Sequence, residues 1–178
     1  MDMSEARSTE VEENVLEINL RNPGVAALCA WLVPGAGHIY QGRIVKGLLF
    51  AVCILGTYGT GFAIGEGKVV YAAWEPEKDH HRWQFICQLG VGLPALPAII
   101  QGIQYRQDKP LLWNGFMAPP EPTHDLNTRD ALSDWNLRLN SAFEMGTLYT
   151  VIAGLLNILV IYDAFSGPMI EVVPQSRK

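Results

Sequence analysis

Four long stretches without a formal charge constrain this chain more than any motif does. Gly47 to Ile64, Trp83 to Tyr105 and Met145 to Tyr162 hold no Asp, Glu, Lys or Arg, and Asn22 to Gly42 is a fourth with His38 neutral. A bilayer core of about 30 Å takes about 20 apolar residues as helix. A buried helix of a soluble protein normally keeps a polar stripe, and none of the four shows one. The 178 residues are 49% hydrophobic and 17% charged, with the charges gathered in an N-terminal tail and two connections. The expected fold is an all-α membrane protein. It has about four membrane-embedded helices, the first short or re-entrant, plus one amphipathic interfacial helix.

Taken in order, residues 1–21 form an acidic tail, with Glu10, Glu12, Glu13 and Glu17. No basic segment precedes a short apolar stretch there, so no cleavable signal peptide is expected. Residues 22–65 read as a helical hairpin. Asn22-Pro23 is a good helix start, a capping side chain followed by proline at the first helical position. From Pro23 to Val33 a helix rises only about 16 Å. It spans if the chain continues through Tyr40, or it enters and returns as a re-entrant segment.

The second helix carries Gly61 and Gly65, a G-x-x-x-G pair that suits a close helix contact and that chance spacing explains equally well. Residues 66–82 are a polar connection. Residues 83–105 read as a third membrane helix, kinked near Leu93 by Pro94 and Pro97. Gln88 and Gln101 place amides in it that must face protein or water rather than lipid.

Residues 106–144 form a long polar connection. Within it, Thr128 to Phe143 patterns as an amphipathic helix with Leu132, Trp135, Leu139 and Phe143 on one side, expected along the membrane surface. Residues 145–166 are the fourth helix, with Gly146, Thr150 and Gly154 as a small-residue packing ridge. Asn157 lies near its middle and Asp163 closes it, while residues 167–178 are a tail.

Cation placement sets the expected orientation. Arg43, Lys46, Arg106, Lys109 and Arg138 fall on one side, Lys68, Lys78 and Arg82 on the other. That puts 106–144 in the cytoplasm and 66–82 outside. In that topology Asp163 lies opposite His38 and Arg43, and its expected partner is Arg21, Lys68 or Arg82.

The first two helices are joined by Pro34-Gly35-Ala36-Gly37-His38-Ile39-Tyr40-Gln41-Gly42-Arg43, with Lys46-Gly47 beyond. Proline cannot continue a helix ladder, and the glycines permit backbone angles that other residues avoid. This motif resembles the signature turn of the two-transmembrane-domain superfamily over about Val25 to Ile64. Ile39 stands where the best-known form has Arg after the His, so the likeness is to a shorter bacterial variant. The whole chain is similar to uncharacterised bacterial membrane proteins carrying such a turn. The resemblance implies a multi-pass protein of the bacterial inner membrane and supplies no activity.

Chemistry is sparse. The net charge of −5 argues against a nucleic-acid partner. Cys29, Cys53 and Cys87 are odd in number, lie in apolar runs and match no disulfide or metal spacing. His80-His81 with Glu75, Glu77 and Asp79 reads as a solvated loop rather than a metal site. Neither Gly-x-Ser-x-Gly nor His-Glu-x-x-His occurs. No catalytic, cofactor or metal residues are assigned. The functional expectation is a small structural or accessory subunit of a membrane assembly, contacting lipid and a protein partner or a second copy through its small-residue faces. One alternative is a small-solute or ion pathway along Gln88, Gln101, Asn157 and Asp163. Another is a lipid-modifying enzyme using His38 and Arg43.

Overall fold

The structure is a computed structural model, and it describes residues 22–75, 80–121 and 130–167. The acidic tail with Arg21, loop positions Glu77, Lys78 and Asp79, the start of the expected amphipathic helix at Thr128, and the C-terminal tail beyond Gly167 lie outside the described residues. So do the side chains of Glu75, His80 and His81.

The described chain is helical apart from a two-residue antiparallel ladder. Helix α1 spans Pro23–Leu32, α2 Ala36–Tyr40, α3 Ile44–Ile64, α4 Trp83–Gln88, α5 Leu96–Arg106, α6 Ala131–Leu139 and α7 Ser141–Ser166. Strands β1 (Trp74–Glu75) and β2 (His80–His81) pair between α3 and α4. Two helices, α3 with 21 residues and α7 with 26, are long and apolar enough to cross a membrane. At 1.5 Å per residue they are about 32 and 39 Å long. They pack antiparallel. The Cβ that Gly61 lacks would lie 2.8 Å from the Gly146 carbonyl oxygen, and that of Gly146 would lie 2.6 Å from the Gly61 carbonyl oxygen. At the other end Lys46 reaches Asp163.

Each of the remaining two apolar runs folds as a hairpin that reverses beside α7. In the first, Asn22 caps α1 by accepting a 3.0 Å hydrogen bond from the Gly24 N–H. The chain runs inward until Ala30 lies beside Asn157. Val33 is extended, Pro34 offers no N–H, and Gly35 turns the chain at φ +83°. Helix α2 then climbs back beside α1: a Cβ on Gly37 would sit 2.2 Å from the Ala26 carbonyl oxygen. By Gln41 the chain is again beside Ala164, near the end of α7. The segment reverses at Pro34-Gly35 rather than continuing as one helix through Tyr40.

The second hairpin corrects an expectation. Residues 83–105 do not form one long kinked helix. Helix α4 passes Thr150 at Gln88 and Gly154 at Gly90, continues as a 3-10 turn over Leu89–Val91, and breaks at Gly92, whose φ is +83°. After a second short turn through Pro94, α5 runs back until Gly102 meets the Ala72 carbonyl. Gly92 and Pro94 together reverse the chain instead of bending it.

It follows that the two polar connections, expected at opposite ends, share one. Arg138 donates to the Glu66 carboxylate, Lys68 lies 5.0 Å over the Trp135 ring, and Tyr71 meets Trp135 edge-on at 6.0 Å. The amphipathic segment is also shorter than expected. It ends at Leu139 because Asn140 takes φ +46°, and Phe143 belongs to α7. Leu132, Trp135 and Leu139 pack, partly buried, on the chain's own core.

The two hairpins share a register. Pro34 and Pro94, Gln41 and Gln101, and Gly42 and Gly102 each stand 60 positions apart. So do the helix starts Pro23 and Trp83, and the restarts Ala36 and Leu96. One hairpin enters from each end of the α3–α7 pair, and their tips meet on α7 at Asn157.

Candidate functional site

Two polar centres stand out in this apolar frame, and backbone bookkeeping explains the first. In a helix the carbonyl of residue i accepts from the N–H of residue i+4. Proline has no N–H, so Pro34 leaves the Ala30 carbonyl without its donor. The Gly90 carbonyl is left open where the 3-10 turn breaks at Gly92, and Pro94 at i+4 has no N–H to offer it either. The Asn157 amide, fully buried, donates from Nδ2 to both, at 3.1 Å to Ala30 and 2.9 Å to Gly90. The Trp31 indole N–H crosses between the hairpins to the Leu89 carbonyl at 3.3 Å. A Cβ on Gly92 would lie 1.8 Å from the Trp31 carbonyl oxygen, so no other residue fits this junction.

The same logic recurs elsewhere. Gln41 Nε2 donates to the Ala164 carbonyl at 2.6 Å, whose helical donor would have been Pro168. Gln88 donates to the Thr150 hydroxyl at 2.8 Å and to the Val69 carbonyl at 3.1 Å. Gln101 donates to the carbonyls of Leu112 and Phe116 and accepts from the Leu112 N–H, holding the 111–117 loop. Three of the four intramembrane polar residues singled out from the sequence thus serve the chain's own backbone.

The fourth, Asp163, is the second centre. His38 Nε2 lies 2.5 Å and Lys46 Nζ 2.6 Å from its Oδ2, with Arg43 Nη1 at 3.9 Å. The expectation that Asp163 avoids His38 and Arg43 in favour of Arg21, Lys68 or Arg82 is overturned, because Lys68 and Arg82 lie at the other end. The antiparallel packing of α3 and α7 brings the C-terminus of α7 beside the N-terminus of α3. An aspartate that opposes its own helix dipole is there met by two cations and the positive end of a neighbour. His38 is fully buried and stacks edge-on against Phe50 at 5.0 Å.

The other singled-out residues fall into these contacts. Gly35 and Gly47 abut, a Cβ on Gly35 lying 2.0 Å from the Gly47 carbonyl oxygen. Gly61, Gly65 and Gly146 meet where α3 and α7 cross, and Gly154 faces the Cys87 carbonyl. Thr150 bonds back to Gly146 as well as receiving Gln88. Pro34 is fully buried at the turn, and Gly42 reverses the chain at φ +83° with open space beside it. Tyr40 packs against the Ala26, Ala30 and Ala164 cluster.

Arg82 was not singled out as a site. Its guanidinium lies 3.8 Å over Tyr71 and 5.5 Å from Phe143, and donates to the Val69 carbonyl at 2.7 Å. Burial pulls its pKa below the ordinary arginine value and pushes that of Tyr71 up. A lone arginine in a polar loop carries no pattern that marks it. The proline-orphaned carbonyls, by contrast, could have been counted from the sequence.

Among the described residues no three of His, Cys, Asp and Glu gather as a metal site. The cysteines are free. The arrangement defines a class: an all-helical protein with two long apolar helices and polar side chains spent on the internal backbone. The chain belongs to DUF6677, a family of unknown function, whose model matches residues 25–178. No curated protein and no solved structure matches it.

Proposed function

We propose that this is an integral protein of the bacterial inner membrane that serves as a structural or accessory subunit. Helices α3 and α7 span, and the α1–α2 and α4–α5 hairpins enter from opposite faces. One observation carries the reading. Large apolar side chains are exposed along α3 (Val45, Leu49, Val52) and α7 (Leu148, Leu155, Leu159), while Gln88, Gln101 and Asn157 are fully buried and bonded. Such a surface suits hydrocarbon and would be an aggregation hazard in water. The amide donors of Gln88 and Asn157 are engaged by the chain, although Gln88 Oε1 and Asn157 Oδ1 have no hydrogen-bond partner among the described residues. The engaged donors favour a brace over a solute pathway, which needs polar groups free to meet the solute.

The described cations divide as Arg43 and Lys46 at the Asp163 end, with Lys68, Arg82, Arg106, Lys109 and Arg138 at the other. By the positive-inside rule the latter end faces the cytoplasm, with both connections. Retention of the chain in membranes after alkaline carbonate washing tests the location. Affinity purification in mild detergent tests the accessory role, which requires a stoichiometric partner. Release by carbonate overturns the first, and a partner-free monomer with its own activity overturns the second.

A further inference from the structure

At the end of α3 that carries Glu66, a groove of about 740 Å³ opens between that helix, the 111–121 loop and α6. Its volume falls in the range of about 300–1,000 Å³ typical of small-ligand sites. Phe62, Phe116, Met117 and Trp135 make it apolar, and Ala63 joins it to the outward face of α3. Leu112, Trp113 and Phe116 are exposed beside it, the kind of cluster that settles at a bilayer interface. The rim is charged with both signs: Lys68 on one hand, Glu66 and Glu121 on the other. The wall is rigid, since Gln101 holds Leu112 and Phe116 by three hydrogen bonds.

We propose that this groove binds a zwitterionic phospholipid from the surrounding bilayer; this rests on the membrane reading above. One acyl chain lies over Phe62, Phe116 and Met117, continuous with the lipid on α3. Lys68 takes the phosphate and Glu121 the ammonium, Glu66 being held by Arg138. The aromatic faces of Trp113 and Trp135 favour a cation for the same reason they suit Lys68, whose ammonium already lies over Trp135. An anionic headgroup without an ammonium would bring its phosphate beside the Glu121 carboxylate with nothing to offer it. Charge complementarity therefore selects the zwitterion.

The test uses the full chain in mild detergent, with dioleoylphosphatidylethanolamine or dioleoylphosphatidylglycerol added and thermal unfolding followed. Phosphatidylethanolamine at a hundredfold excess over Kd should raise the midpoint by about 5–10 °C, and phosphatidylglycerol should not. Lys68→Ala should abolish that rise while leaving the lipid-free midpoint near that of the parent. Ala63→Trp, which fills the groove from α3, should do the same, and Lys68→Ala decides alone if that variant does not fold. Equal shifts from both lipids, or an undiminished shift in Lys68→Ala, would overturn the proposal. So would a soluble peptide partner displaced by Ala63→Trp with no response to either lipid. Failure of the membrane reading itself appears separately, as release by carbonate.

Discussion

Replacing Asn157 by Leu removes the one donor that serves two carbonyls, and its cost can be worked from the geometry. Leucine matches asparagine in shape and fills the same space. What changes is that the Ala30 and Gly90 carbonyls, each already without a helical donor, lose their hydrogen bonds in an apolar surrounding. Leaving a buried acceptor unpaired costs about 1–3 kcal/mol, so two give about 2–6 kcal/mol. Hydrogen bonds inside membranes average nearer 0.6 kcal/mol each, which sets a lower bound of about 1 kcal/mol. A middle value of about 3 kcal/mol lowers the midpoint by about 6–12 °C in a chain of this size. Thermal unfolding in detergent measures this, with Leu159→Ala as the comparison, since Leu159 is 65% exposed. Hydrogen exchange supplies the sharper reading: amides near both tips, at Val33 and at Gly92, should gain exchange together. A midpoint no lower than that of Leu159→Ala, or loosening of one hairpin alone, would refute the shared-donor account.

Four further outcomes follow from the same contacts. Gly154→Leu should cost about 3 kcal/mol, because its Cβ would lie 2.0 Å from the Cys87 carbonyl oxygen, whereas Leu155→Ala should cost under about 0.5 kcal/mol; reversed thermal shifts would contradict this. Gly37→Val should disrupt the first hairpin, judged by loss of monodisperse protein, while His38→Gln keeps an N–H donor toward Asp163 and should fold. Asp163→Asn should cost about 1–2 kcal/mol by thermal unfolding, more than Glu66→Gln, since Glu66 and Arg138 form an exposed pair and Asp163 neutralises two cations. Single cysteines at Lys68 and Asn114, in a background without the native three, should react with an impermeant maleimide from the same side of the membrane; labelling from opposite sides would restore a third crossing.

What could be read from the sequence was local. Uncharged length marks α3 and α7, and Pro34 with its glycines marks a reversal, because those features act within a few residues. The difference between a kink and a turn at 92–94 is not local. Pro94 and Pro97 break the ladder either way, and the direction afterwards depends on Gly92 taking φ +83° against the Trp31 carbonyl, 58 or more residues away in contacts such as Trp31 to Leu89. Reading 83–105 as one kinked helix instead of a hairpin places Asp163 at the wrong end and, with it, the partner expected for it. The three glutamine and asparagine sites were visible as anomalies in apolar runs. The purpose of Asn157 becomes visible when Pro34 and Pro94 are set against the carbonyls four residues before them, while those of Gln88 and Gln101 depend on loops packed against them in the fold.

That accounting also bears on what the junction can do. Two half-helices meeting C-terminus to C-terminus bring the negative ends of their dipoles together, an unfavourable arrangement unless donors intervene. Here the donors are the Asn157 amide and the Trp31 indole, both supplied by the chain itself. A transport site built from broken helices leaves such ends open to a cation or proton, and its polar groups alternate between solute and protein. In this chain Gly92 lies against the Trp31 carbonyl and Gly90 against the Gly154 carbonyl, so opening the junction would break backbone contacts on both hairpins at once. The 60-residue register then reads as one structural device used twice. Each half-helix inserts from its own face, ends at a proline, and is fastened to α7 by the same amide. A fold fastened at its centre in this way, and again at one end through Asp163, is organised to hold its shape.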